Sequence, residues 1–110
     1  MEFNAKDVTI NGYELKCTCE GCPEQYDVFK DGVQLAYLRL RHGTFYGSVP
    51  DAYGAYLFEV APKGDGCFEY DERDMFLSEA ISILDEYLNG NDCLRDYVSM
   101  RLKHNWRIYL

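Results

Sequence analysis

Three thiols within six residues, Cys17-x-Cys19-x-x-Cys22, make the sharpest local pattern in this sequence. Structural zinc sites are built from thiolate and imidazole, so Cys17, Cys19 and Cys22 could supply three sulfur ligands, with Cys67, His42 or His104 as the fourth. The spacing departs from the common ribbon and knuckle patterns, and no second Cys-x-x-Cys pair follows. Cys17 and Cys19 also continue the face begun by Tyr13 and Leu15, while Glu14, Lys16 and Thr18 form the polar face. Cysteine there packs as a small hydrophobe, and this structural reading is favoured over a zinc module. A redox role for Cys19-x-x-Cys22 is weaker, because the strand-to-helix setting that lowers a thiol pKa is missing.

The acidic run Asp65-Gly66-Cys67-Phe68-Glu69-Tyr70-Asp71-Glu72-Arg73-Asp74 invites a calcium reading. It lacks the alternating oxygen ligands, the central glycine and the closing glutamate of an EF-hand loop. A solvated helix start explains the acids more simply, since carboxylates favour the positive end of the helix dipole. Exposed Asp65, Glu69, Asp71, Glu72 and Asp74 interleaved with Tyr70 would also suit a protein interface. Arg39, Arg41 and His42 are the basic cluster before residue 91. Two arginines on one strand face could clamp a carboxylate or phosphate, which would make a small enzyme or anion-binding domain. Pairing with neighbouring acids is the plainer expectation. No nucleophile elbow, phosphate-cradling loop or dinucleotide turn is present, so an enzyme is unsupported.

Charge narrows the partners. Residues 1–90 carry 7 Lys+Arg against 17 Asp+Glu, a balance of −10, while residues 91–110 carry 4 against 2, a balance of +2. Nucleic-acid affinity rests on cations displacing counterions, so direct nucleic-acid binding is disfavoured. A basic protein surface, including a groove that normally holds nucleic acid, would be attracted.

Whatever these residues do, the elements around them must hold them in place. Val8-Thr9-Ile10 and Tyr13 to Cys19 flank Asn11-Gly12, a hairpin signal in which both turn residues tolerate positive φ. Tyr26 to Lys30 meets Asp31-Gly32, Val33 to Arg41 follows, and His42-Gly43 leads into Thr44 to Val49. Ala55 to Val60 is a further strand. Met75, Phe76, Ala80, Ile81, Leu84, Tyr87 and Leu88 recur at helical spacing, with Asn89-Gly90 as the stop. Asp92 can cap a second helix with the face Leu94, Tyr97, Val98 and Leu102. The expectation is one α+β domain over residues 1–110: a five- or six-stranded antiparallel β-meander within 8–60, packed against one or two C-terminal helices at about 72–89 and 92–104. Trp106 to Leu110 alternates and reads as either a final strand or a helix end.

With 47 % hydrophobic and 15 % aromatic residues, ten of them tyrosines, this chain has the apolar material to fold without a cofactor. Met1 to Asp7 carries no basic stretch followed by an apolar run, and no apolar run reaches the length of a membrane span. A cytoplasmic protein is therefore expected, with its five cysteines as free thiols or metal ligands rather than a disulfide framework. An exposed edge strand could pair across a two-fold axis and give a homodimer.

Cys22 to Phe29, then Tyr37-Leu38-Arg39-Leu40-Arg41-His42-Gly43, then Pro62-Lys63-Gly64-Asp65-Gly66, resemble short uncharacterised proteins of phages and mobile elements of gut Firmicutes. The likeness spans roughly residues 22–88. It implies a bacterial cytosol and no transferable activity. Together with the charge, it suggests a non-enzymatic interaction module, in concrete form an inhibitor occupying a basic groove on a host defence nuclease.

Overall fold

Asn11-Gly12, Asp31-Gly32 and His42-Gly43 all turn the chain in the same way. The first residue of each has φ 52° and the glycines lie at 82°, 80° and 77°. Two successive positive φ values define the turn whose twist matches that of the flanking strands, so each dipeptide folds a hairpin. The computed structural model describes residues 6–19 and 21–109. Residues 1–5, 20 and 110 lie outside them, and with them most of the N-terminal stretch read as lacking an export signal.

The strands are β1 (Val8–Ile10), β2 (Tyr13–Cys17), β3 (Glu24–Lys30), β4 (Val33–Arg41), β5 (Thr44–Val49), β6 (Ala55–Val60) and β7 (Arg107–Ile108). Helices α1 (Arg73–Leu88) and α2 (Leu94–Arg101) lie between β6 and β7. Among the described residues this is a seven-stranded antiparallel sheet in chain order. The α+β meander is as expected, with one strand beyond the predicted range. The extra strand, β7, decides the C-terminal alternative: Ile108 pairs with Phe58, and Tyr109 N–H donates to the Leu57 carbonyl at 3.0 Å.

Register assembles the core row by row. Tyr26, Leu38, Gly47, Phe58 and Ile108 are successive cross-strand partners, as are Glu24, Leu40, Phe45 and Val60. Side chains alternate across a strand, so one face collects these residues. Helix α1 lays Phe76, Leu77, Ala80, Ile81, Ile83 and Leu84 into the same core. Burying each of these Phe, Leu and Ile side chains is worth about 1.5–3 kcal/mol. Met75 and Leu88, expected on this face, sit at the helix ends and are exposed. A register shift between Val28 and Phe29 breaks the simple alternation of β4, so Leu35 packs against the core while Tyr37 and Arg39 face away.

Helix α2 stops at Arg101, short of the predicted 104, because Leu102 is already extended. The following residues are claimed by α1. Glu79, buried on that helix, accepts from His104 Nδ1 at 2.8 Å and from Trp106 Nε1 at 2.9 Å. The expected Asp92 cap is also replaced: Cys93 is the N-cap, and its N–H donates to Asn91 Oδ1 at 2.8 Å. No described helix is long and apolar enough to cross a membrane.

Candidate interaction site

Two buried carboxylates hold the segment that joins β6 to α1. Glu24, at the start of β3, is fully buried. Arg73, at the start of α1, donates to it in a two-pronged pair, Nε at 2.8 Å and Nη2 at 3.0 Å. Phe68 N–H donates to the same carboxylate at 3.1 Å, and the Tyr26 hydroxyl donates to it as well. Burial pushes the Glu24 pKa up, but the bonds from Arg73, Tyr26 and Phe68 outweigh it and hold the pKa below the ordinary carboxylate value. The bond to Glu24 raises the Arg73 pKa in turn.

Glu72 is the second clamp. Its carboxylate accepts three backbone N–H groups, from Lys63 at 2.8 Å, Gly64 at 2.8 Å and Glu69 at 2.9 Å. Burial raises its pKa, and these bonds bring the net value below the usual one. Backbone pairs Glu24 N–H to Gly66 O and Gly43 N–H to Asp65 O, both 2.7 Å, fasten the loop to the sheet. At Gly64 a side chain would meet the Cys67 carbonyl oxygen at 2.0 Å, so the loop closes tightly on itself.

The clamped segment presents its remaining acids to solvent. Asp65, Glu69, Asp71 and Asp74 are exposed, and Tyr70 is 95 % exposed. Asp71 pairs with Lys63 at 2.9 Å, both side chains standing in water. The contact to Lys63 lowers the Asp71 pKa and raises that of Lys63. Glu72 differs from the predicted set. It was expected among the interaction residues and is buried instead, because three N–H donors converge on it.

The cysteines depart from the expectation of free thiols. Cys22 and Cys67 form a disulfide across 45 residues of chain. The backbone bond between Glu24 and Gly66 already brings those two segments side by side. This takes Cys22 out of the proposed Cys17, Cys19 and Cys22 ligand set. Cys17 and Cys19 are half-buried, and the Cys17 thiol points at the Cys19 carbonyl at 3.1 Å. Among the described residues, no three Cys, His, Asp or Glu side chains are grouped to hold a metal ion.

The proposed anion cluster lies at the end of β4 and the turn that follows it. Arg41 Nε donates to His42 Nε2 at 3.1 Å, and both residues are exposed. Arg39 stands on the sheet face away from α1, in a cross-strand row with Gln25, Tyr46 and Glu59. Its Nε is buried with no hydrogen-bond partner among the described residues. Tyr37, Tyr46, Tyr56 and Tyr109 follow one another across this face, with ring centroids 6.4, 4.8 and 6.2 Å apart. Sequence reading missed this ladder. The signal was present as alternation within each strand, but it becomes a surface only once the register is known.

Comparison with protein-family models, curated proteins and solved structures gives no match.

Proposed function

We propose that this chain is a non-enzymatic protein-interaction module that presents a preorganised acidic loop to a basic surface on another protein. The observation that carries this reading is how the 61–74 segment is held. Glu24, Glu72, Arg73 and the Cys22–Cys67 bridge all fasten it from beneath. Asp65, Glu69, Tyr70, Asp71 and Asp74 are left outward. A loop already fixed in its exposed shape loses little conformational freedom on binding, which favours affinity. Tyr70 offers contact area with a hydrogen-bonding tip, and the acids steer association with a basic patch. In its concrete form, the module occupies the nucleic-acid groove of a bacterial defence nuclease, its carboxylates standing where phosphates would bind.

The test uses the protein and its D65N/E69Q/D71N/D74N variant as baits in bacterial lysate at rising salt. The expected result is a basic protein held by the parent at low salt, released by salt and not held by the variant. If both baits hold the same proteins at every salt concentration, the acidic loop is not the binding surface.

A further inference from the structure

Besides the acidic loop, the molecule has a groove of opposite character between α2 and β7. It encloses about 550 Å³, within the usual range for small-ligand sites. Arg95, Lys103 and Arg107 border it, over a mixed lining in which Ser99, His104 and Asn105 stand beside Val98, Leu102 and Trp106. No Asp or Glu lines it. None of these three forms an ion pair among the described residues, although Arg107 is the cross-strand partner of Glu59 and its guanidinium lies 5.2 Å over the Tyr109 ring. Arg95 instead spans from α2 to β7, donating to the Ile108 carbonyl at 3.3 Å. Glu79, a carboxylate beside the groove, is turned inward and occupied by His104 and Trp106.

We infer that this groove binds a small organic anion, a carboxylate or phosphate monoester on an apolar body. Arg95 and Lys103 receive the charged group, and Val98, Leu102 and Trp106 take the apolar part. Positive charge gathered around a hollow repels itself and gains when an anion enters, and the apolar part of the lining gains by excluding water from the ligand body. The inference stands apart from the acidic loop, since it uses different residues and the opposite charge.

Amide and indole NMR shifts of the full chain provide the readout, with phenyl phosphate, hexanoate and inorganic phosphate as probes at millimolar concentration. The expected result is saturable shifts at residues 95–108 and at the Trp106 indole with phenyl phosphate or hexanoate, and weaker binding of inorganic phosphate. Comparing the two organic probes tells phosphate from carboxylate preference. R95Q/K103Q should weaken binding about tenfold, while R101Q, a charge on α2 that does not line the groove, should leave it unchanged. The spectrum of each variant reports whether its fold is intact. No saturable shifts with either organic probe, or equal losses in R95Q/K103Q and R101Q, would overturn the inference.

Discussion

Replacing Arg73 with Met is the most direct challenge to the clamp beneath the acidic loop. Methionine keeps an unbranched apolar stem and removes the guanidinium, so Glu24 stays fully buried but loses two of its four donors. Removing one partner of a buried pair typically costs about 3–5 kcal/mol, because the other charge is left uncompensated. The Arg73 side chain is 23 % exposed, which places this case at the lower end, about 3 kcal/mol. For a chain of this length that is a fall of about 12 °C in Tm.

The cost should depend on pH, and the sign follows from Glu24. In the parent its folded pKa is depressed, so the pair stabilises the protein above the ordinary carboxylate range and that stability is lost as pH falls through the folded value. In the variant, burial acts without Arg73, and the Glu24 pKa should rise above its unfolded value of about 4.3. Stability is then lost as pH rises, so the gap between the proteins widens from mild acid to neutral pH. Urea unfolding followed by Trp106 fluorescence and circular dichroism, in oxidised protein across that pH range, measures it. Adding Glu24→Gln should recover much of the loss, since the amide oxygen can still accept from Phe68 and its NH2 can donate to the Tyr26 hydroxyl oxygen, without a buried charge. A cost below about 1 kcal/mol, or one independent of pH, would refute the view that this pair holds the loop.

Reducing the Cys22–Cys67 bond releases a loop closed across 45 residues, which the chain-entropy account values at about 4 kcal/mol as a ceiling. Urea unfolding with and without a thiol reductant measures the loss, and hydrogen exchange should show the 61–74 segment opening first. Tyr13→Phe should cost about 1 kcal/mol by removing the 2.7 Å bond to Asp85. Burial, then the bond and charge of Asp85, push the Tyr13 pKa up to about 12. Its contribution is therefore present below the unfolded value of about 10 and fades as pH rises toward the folded one. The variant should lose less stability than the parent in alkali, without abolishing the decline, because burial and Glu24 also raise Tyr26.

The meander was legible because its signals are local. Three of the hairpins are written in two adjacent residues whose backbone preference decides the turn, and α1 in a spacing that needs only its own segment. The sequence left β7 open between a strand and a helix end, since a two-residue strand exists only because the edge of β6 is there to pair with it. The end of α2 was hidden for the same reason. Nothing in residues 102–106 opposes a helix as strongly as Glu79, on another element, draws His104 and Trp106 away.

For the candidate site the divide runs between carboxylates that look identical in sequence. Glu69, Glu72 and Asp74 are all acids near a helix start, and dipole reasoning assigns each of them to solvent. Glu72 goes inward because the loop folds back and aims three N–H groups at one point, and a buried N–H without an acceptor would cost about 1–3 kcal/mol. Glu24 goes inward because Arg73, 49 residues away, arrives beside it. The inward acids therefore serve the outward ones: each donor they satisfy removes a way for the loop to change shape. An acidic segment held only by its own turns would sample many arrangements of Asp65, Glu69, Tyr70 and Asp74. This one is also tied to the sheet by Cys22, Glu24 and Gly43, residues from outside it, and such ties lower the conformational freedom that any binding would have to remove.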